Sequence, residues 1–216
     1  MHRNPFTLPF DRLPADIAVF PLSGAVLMPG TQLPLNVFEP RYLNMVEDAL
    51  GARRLIGMIQ PLDEDERVLS KTGCAGRISS FSETDDGRII LVLTGLCRFD
   101  VVDELPLARG YRRVRADWTR FNGDYQDPAE NEIDRTGLTD ALRAYAESVG
   151  AEVSWDGFEK ADDHLLVNAL IANLPLDNKQ KQSLIETVLP NERAELLKAI
   201  LEMVGGESGG GGRMRH

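Results

Sequence analysis

The strongest constraint on this chain lies between Ile17 and Tyr42, IAVFPLSGAVLMPGTQLPLNVFEPRY. Two short apolar runs, Ile17–Pro21 and Leu33–Phe38, are separated by Pro29-Gly30 and followed at once by Pro40. Val, Ile and Phe favour a pleated backbone, whereas proline and glycine break one, so no single helix or strand can cross this stretch. Pro40 suits the first turn of a helix, where its fixed φ fits and no amide donor is needed. Arg41–Leu50 then places Tyr42, Leu43, Val46, Ala49 and Leu50 on one face, and Gly51 is expected to end the helix. Strand, turn, strand and helix in close succession demand further strands to pack against.

Those strands are legible downstream. Pro5, Pro9 and Pro14 mark the residues before Asp16 as an extended arm. Arg54–Gln60 reads as a strand, and Asp63–Glu66 as a solvated loop. Cys74–Phe81 and Arg88–Phe99 flank Glu83-Thr84-Asp85-Asp86-Gly87, a hairpin signal because glycine supplies positive φ readily. Pairing Glu83 with Arg88 sets Cys74 opposite Cys97. Ile89–Leu93 is apolar at every position, which predicts a strand covered on both faces. Tyr111–Trp118 alternates, with Val114, Ala116 and Trp118 inward.

From Pro128 the period becomes helical. Asp127-Pro128 with Glu130 predicts a helix start, and Leu138, Leu142, Tyr145 and Val149 recur at helical spacing before Gly150. Asp162–Leu174 is apolar on nearly every face and stops at Pro175, the pattern of a buried helix. Asp177 with Gln180 predicts a capped helix over Asn178–Val188, and Asn191 a cap for Glu192–Val204. Six glycines in Gly205–Gly212 predict a flexible tail. Strands first and helices after make the class α+β, with a β subdomain over 1–121, a helical subdomain over 122–204 and a tail over 205–216.

Composition narrows the chemistry. The net charge is −10, and thirteen acidic against four basic residues between Asp117 and Asp163 carry most of it. Such a surface repels phosphate backbones, so no nucleic-acid partner is expected. No apolar run approaches the roughly 18 residues of a membrane helix, and MHRNPFTLPF lacks a signal-peptide core, so neither membrane nor secretion is expected. Two cysteines form no disulfide framework and no C-x-x-C pair, which fits packed thiols in a reducing, cytoplasmic setting. Three histidines, two at the chain ends, offer no metal cluster. His164 reads as a solvated residue at a helix start, and Ser23 as a turn residue without the G-x-S-x-G elbow. No P-loop run exists, so no cofactor is expected. Phe38-Glu39-Pro40-Arg41-Tyr42 stands out instead. Phe38 and Tyr42 could give a peptide contact area while Glu39, Arg41 and Arg98 orient its polar groups. The competing reading makes both rings core and pairs Glu39 internally with Arg41 or Arg98.

Four segments together, Pro21–Tyr42 with LPLNVFEPRY, Gly73–Ile78 (GCAGRI), Ile89–Phe99 ending in GLCRF, and the NLPLDNKQKQSLIE and NERAELL runs up to Leu201, closely resemble the N-terminal, substrate-binding domain of Lon-type ATP-dependent proteases. The likeness covers about Ile17 to Val204. It implies a PUA-like β pseudo-barrel followed by a C-terminal α-helical bundle. It also implies a non-enzymatic module, a stand-alone Lon N-domain without the motor or the Ser-Lys protease. The implied partner is unfolded or extended polypeptide or a partner protein, with a role as adaptor or regulator in protein quality control. The groove between the two halves is the expected site. RNA binding is the alternative, on fold analogy with PUA-like domains alone.

Overall fold

The computed structural model describes residues 6–63, 65, 67–126, 133–151 and 161–209. Six strands form one mixed sheet: β1 Asp16–Pro21, β2 Gln32–Val37, β3 Leu55–Pro61, β4 Leu69–Glu83, β5 Ile89–Ala108 and β6 Tyr111–Asp117. The order β2-β5-β4-β3-β1-β6 is closed by a second pairing of β5 with β6. The closure is possible because β5 is 20 residues long: its first part pairs β2, and its last part pairs β6. Five strands thus make the expected pseudo-barrel, and β2 hangs on its outside as an edge strand. Among the described residues only β1 and β3 run parallel.

Helix α1, Pro40–Leu50, begins with Pro40 in its first turn, and Tyr42, Met45, Val46 and Ala49 face the core. Gly51 closes it in a right-handed conformation, and Arg54, at φ 58°, makes the left-handed step expected of the glycine. Four further helices follow among the described residues: α2 Arg135–Val149, α3 Asp163–Asn173, α4 Asn178–Glu186 and α5 Pro190–Gly209. The expected start at Asp127-Pro128 lies outside the described residues. Asp134 caps α2 by accepting from the Gly137 N–H. Val149, placed inward by its spacing, is exposed. Asp162 caps α3, and Asp177 with Gln180 forms the capping box of α4. Asn191 is not a cap: α5 starts two residues before the expected Glu192, with Pro190 in the position that needs no donor. Nor is Gly205–Gly209 a tail. These residues belong to α5, where Gly205 lies against the backbone of Tyr145 in α2, close enough that an added Cβ would stand 3.7 Å away.

Two apolar clusters divide the core. The first joins one face of the sheet and α1 to all four later helices, through residues such as Met28, Met45, Leu93, Leu142, Ile171 and Leu197. The second lies on the other side around Phe99, Trp118 and Phe121. The arm before β1 is part of it: Phe10–Arg12 form a 3-10 turn, the Trp118 indole donates to the Pro14 carbonyl at 2.9 Å, and the Tyr125 hydroxyl donates to that of Leu8. Phe99 lies so close to the backbone that a Cβ on Gly73 or Gly57 would meet its ring at 2.8 Å, so both strands need glycine there.

The hairpin turns at Gly87, φ 81°, as expected, but with one residue more in the loop. Glu83 pairs with Ile89, which sets Cys74 opposite Arg98 and Cys97 opposite Ala75. A one-residue shift moves a side chain to the other face of a sheet. The two thiols therefore occupy neighbouring strands but different cores, Cys74 in the first and Cys97 in the second.

Candidate functional site

The Phe38–Tyr42 block is divided by the turn from β2 into α1. Val37 points into the core, so the next residue, Phe38, points out and is 62% exposed. Glu39 accepts from the Arg41 Nε at 2.9 Å, and both side chains are about half exposed. The Arg41 guanidinium lies 4.4 Å above the Tyr42 ring. Tyr42 itself is buried and stacks on Phe20 with centroids 4.1 Å apart. One aromatic is therefore surface and the other core, with the Glu39–Arg41 pair between them.

Arg98 is elsewhere. Directly opposite Cys74 on β5, it is 1% exposed and spends all five donors inside the protein. Its Nε and one Nη hold the Asp124 carboxylate, at 3.0 and 2.8 Å. The remaining N–H groups reach the carbonyls of Ile185, Thr187 and Val188 at 3.0, 2.6 and 3.2 Å. Those carbonyls end α4, where helical partners run out and a cation is favoured. The guanidinium also covers the Phe121 ring at 4.4 Å. Arg98 thus clamps the helical half to the barrel, and no donor is left for a ligand.

Side chains of the helical half bridge the junction between the halves. Asn168 on α3 donates to the Pro29 carbonyl, Lys181 on α4 to that of Gly24, and Gln182 to that of Thr72. Asn168, Lys181 and Arg193 are buried among apolar side chains of both halves. Burial without a carboxylate partner pulls the Lys181 ammonium below its ordinary range.

The open surface is on the outer side of β2, β5 and β4. Asn36 pairs with Ile90 and Ile90 with Ser82; Pro34 pairs with Val92 and Val92 with Ser80. Residues directly opposite share a face, and here that face is outward: Pro34, Asn36, Ser80 and Ser82 are exposed, as is Ile90 at 49%. Ile89–Leu93 is accordingly covered on one side only, which corrects the two-sided burial expected from its unbroken apolar run. Phe38, two residues past Asn36, extends the same face. No charged residue occurs in Gln32–Phe38, Ile78–Ser82 or Ile89–Cys97, although 27% of the chain is charged. Arg77, opposite Thr94, and Glu83, next to Ser82, bound this stretch on β4, and the Glu39–Arg41 and Asp86–Arg88 pairs stand at its rim. Among the described residues there is no group of three or more metal-ligating side chains, and no helix long and apolar enough to cross a membrane.

Ile90 was missed because an apolar run carries no sign of which face is covered. The pairing of Ile90 with Asn36 and Ser82, both polar, was the signal that could have found it.

Comparison with known proteins matches this architecture throughout. The family model of the ATP-dependent protease La (LON) substrate-binding domain covers residues 16–203. A Lon protease of Flavobacterium johnsoniae is 24% identical over 196 residues, 85% of this chain and 23% of that protein. Lon protease 2 of Sorangium cellulosum is 32% identical over 133 residues, 59% of this chain and 16% of that protein. The chain therefore spans less than a quarter of the length of these relatives. A solved Lon N-terminal domain protein from Xanthomonas campestris superposes with a TM-score of 0.64 at 26% identity, covering 85% of this chain and 97% of the other. The N-terminal domain of a Mycobacterium avium complex Lon protease shares the fold, with a TM-score of 0.63 at 16% identity over 86% and 97% of the two chains. By the span of the match and the fold, this chain belongs to the LON substrate-binding domain family.

Proposed function

We propose that this protein is a non-enzymatic module that binds unfolded or extended polypeptide, and that it serves as an adaptor or regulator in protein quality control. The observation that carries the reading is the match of residues 16–203 to a substrate-binding domain. The outer face of β2, β5 and β4, without a charge from Gln32 to Phe38, Ile78 to Ser82 and Ile89 to Cys97, supports this reading. Phe38 and Ile90 supply exposed apolar area there, Asn36, Ser80 and Ser82 supply uncharged hydrogen-bonding groups, and Glu39 and Arg41 stand at the rim. Tyr42 supports the rim from beneath through its stack on Phe20. Apolar burial with few ions makes an association that salt weakens little.

The test is binding of a fluorescently labelled, weakly charged unfolded protein, measured by anisotropy at low and raised salt beside single-stranded RNA. Polypeptide binding that persists at raised salt, with RNA bound poorly, is expected for a sequence pI near 4.8. RNA binding that fades steeply with salt, without polypeptide binding, would overturn the proposal. Purified protein should neither hydrolyse ATP nor cleave casein.

A further inference from the structure

Among the described residues β2 pairs only with β5, so its other edge faces away from the sheet. An open edge normally recruits an extended chain by main-chain hydrogen bonds. Here the edge is blunted, and the ladder shows how. Gly95 donates to the Thr31 carbonyl at 2.8 Å, which makes Thr31 and Gly95 a hydrogen-bonded position in the register of the pair. In an antiparallel ladder such positions alternate. Leu33, Leu35 and Val37 therefore point their main-chain groups at β5, and Gln32, Pro34 and Asn36 point theirs at the free edge. The middle one of those three is proline, which has no N–H and whose ring occupies the place of the missing hydrogen. A strand laid along this edge would find donors only at Gln32 and Asn36.

The same three residues turn their side chains to the outer face, where Pro34 and Asn36 have only uncharged neighbours opposite them. Pro34 with Val92, then Ile90, then Phe38 make an apolar strip about four residues long, roughly 13 Å at the rise of a strand. An extended chain presents every second side chain at the same spacing. Resting on the reading that this protein binds polypeptide, we infer that the occupant of the strip is an extended segment with apolar residues at alternate positions and small uncharged residues between them. It lies across the outer face of β2 and β5 and is held by side chains, because Pro34 closes the edge to strand addition.

The probe is a synthetic peptide of leucine and phenylalanine alternating with serine and asparagine, compared with an ester analogue. The analogue keeps the side chains but replaces the central amides, so that it can accept hydrogen bonds and not donate them. Affinities within about threefold of each other are expected, with Ile90→Ser weakening both about fivefold or more at an unchanged melting temperature. Pro34→Thr should open the edge and make binding favour the amide peptide. A wild-type preference for the amide of about tenfold or more, the effect of losing several main-chain bonds, would overturn the side-chain mode. Equal binding of both peptides that ignores Ile90→Ser and Phe38→Ser would remove this face while leaving polypeptide binding intact. Failure of wild type to bind any polypeptide, unfolded protein included, would remove both.

Discussion

Replacing Arg98 with methionine tests whether this residue is a structural clamp or a ligand contact. Methionine keeps the unbranched apolar stem as far as the position of Nε and removes the charge and all five donors. Asp124, itself 6% exposed, would then be a buried carboxylate without its cation, and the carbonyls of Ile185, Thr187 and Val188 would lose their shared partner. Breaking a buried ion pair on one side costs about 3–5 kcal/mol. That is about a fifth or more of the ~5–15 kcal/mol available to a domain. At roughly 2–4 °C per kcal/mol for a chain of this size, the melting temperature should fall by about 6–20 °C. Urea unfolding followed by tryptophan fluorescence measures the same loss, because Trp118 packs on Phe99 at 5.4 Å between ring centroids in the core that Arg98 helps close. Arg98→Lys should recover only part of it, since three rotatable donors cannot replace a planar fork of five. In the double variant Arg98→Met/Asp124→Leu the stranded carboxylate is gone, so its cost should fall below the sum of the singles by about 1 kcal/mol or more. An Arg98→Met protein that melts within about 1 °C of wild type would refute the clamp. Lost polypeptide binding at unchanged stability would show that Arg98 is a contact after all.

Three further outcomes follow from particular side chains. The Tyr111 hydroxyl and the Arg109 guanidinium hydrogen-bond the Asp48 carboxylate and hold it below its ordinary value of 3.8. Because the folded state holds this proton less tightly than the unfolded chain, the contribution is intact above that value and lost as pH falls through the folded one. Tyr111→Phe should therefore raise the Asp48 value seen in a carboxyl NMR titration, and an unchanged titration would dismiss the bond. Cys74 and Cys97 are fully enclosed, and burial drives both thiols far above their ordinary range, so neither should react with a thiol reagent until the protein is unfolded. Rapid labelling of native protein, or a Cys74–Cys97 disulfide at full stability, would contradict their placement on opposite faces. Leu197→Asp puts an unpaired charge at a fully buried site in the shared core, and should unfold barrel and helices in one transition; a barrel that melts normally beside unfolded helices would show two independent cores.

Local chemistry carried most of the fold into the sequence. The strand alternation of Tyr111–Trp118, the turn at Gly87 and the caps at Asp162 and Asp177 are each decided by a few neighbouring residues, and each stands where its residues put it. What depends on distant partners was less visible. The loop of the hairpin holds one residue more than a Glu83–Arg88 pairing would enclose, and bulges beyond it, one near Ser79 and one near Leu96, cancel. The single-residue offset therefore persists to Cys74 and sends the thiols to different faces. The glycines after Val204 read as flexible because glycine weakens a helix; packing of Gly205 on α2 outweighs that preference. At the candidate site, the aromatic and charged residues of Phe38–Tyr42 are conspicuous in one dimension, yet Tyr42 is core and Arg98 is a clamp. The uncharged face was hidden for the opposite reason. It joins β2 to a hairpin further along the chain, and its exposed aliphatic residue, Ile90, sits in a run that looks like interior.

Docking of polypeptide on the outer face of β2, β5 and β4 can be read residue by residue from amide and methyl NMR of the isotope-labelled protein, titrated with an unlabelled, weakly charged unfolded polypeptide. Shifts should concentrate on Gln32–Phe38, Ser80–Ser82 and the outward Ile90 and Val92, with Glu39 and Arg41 following at the rim and Leu142, Leu197 and Arg98 unmoved. Shifts confined to the helices after Asp162, with Phe38 and Ile90 silent, would contradict it.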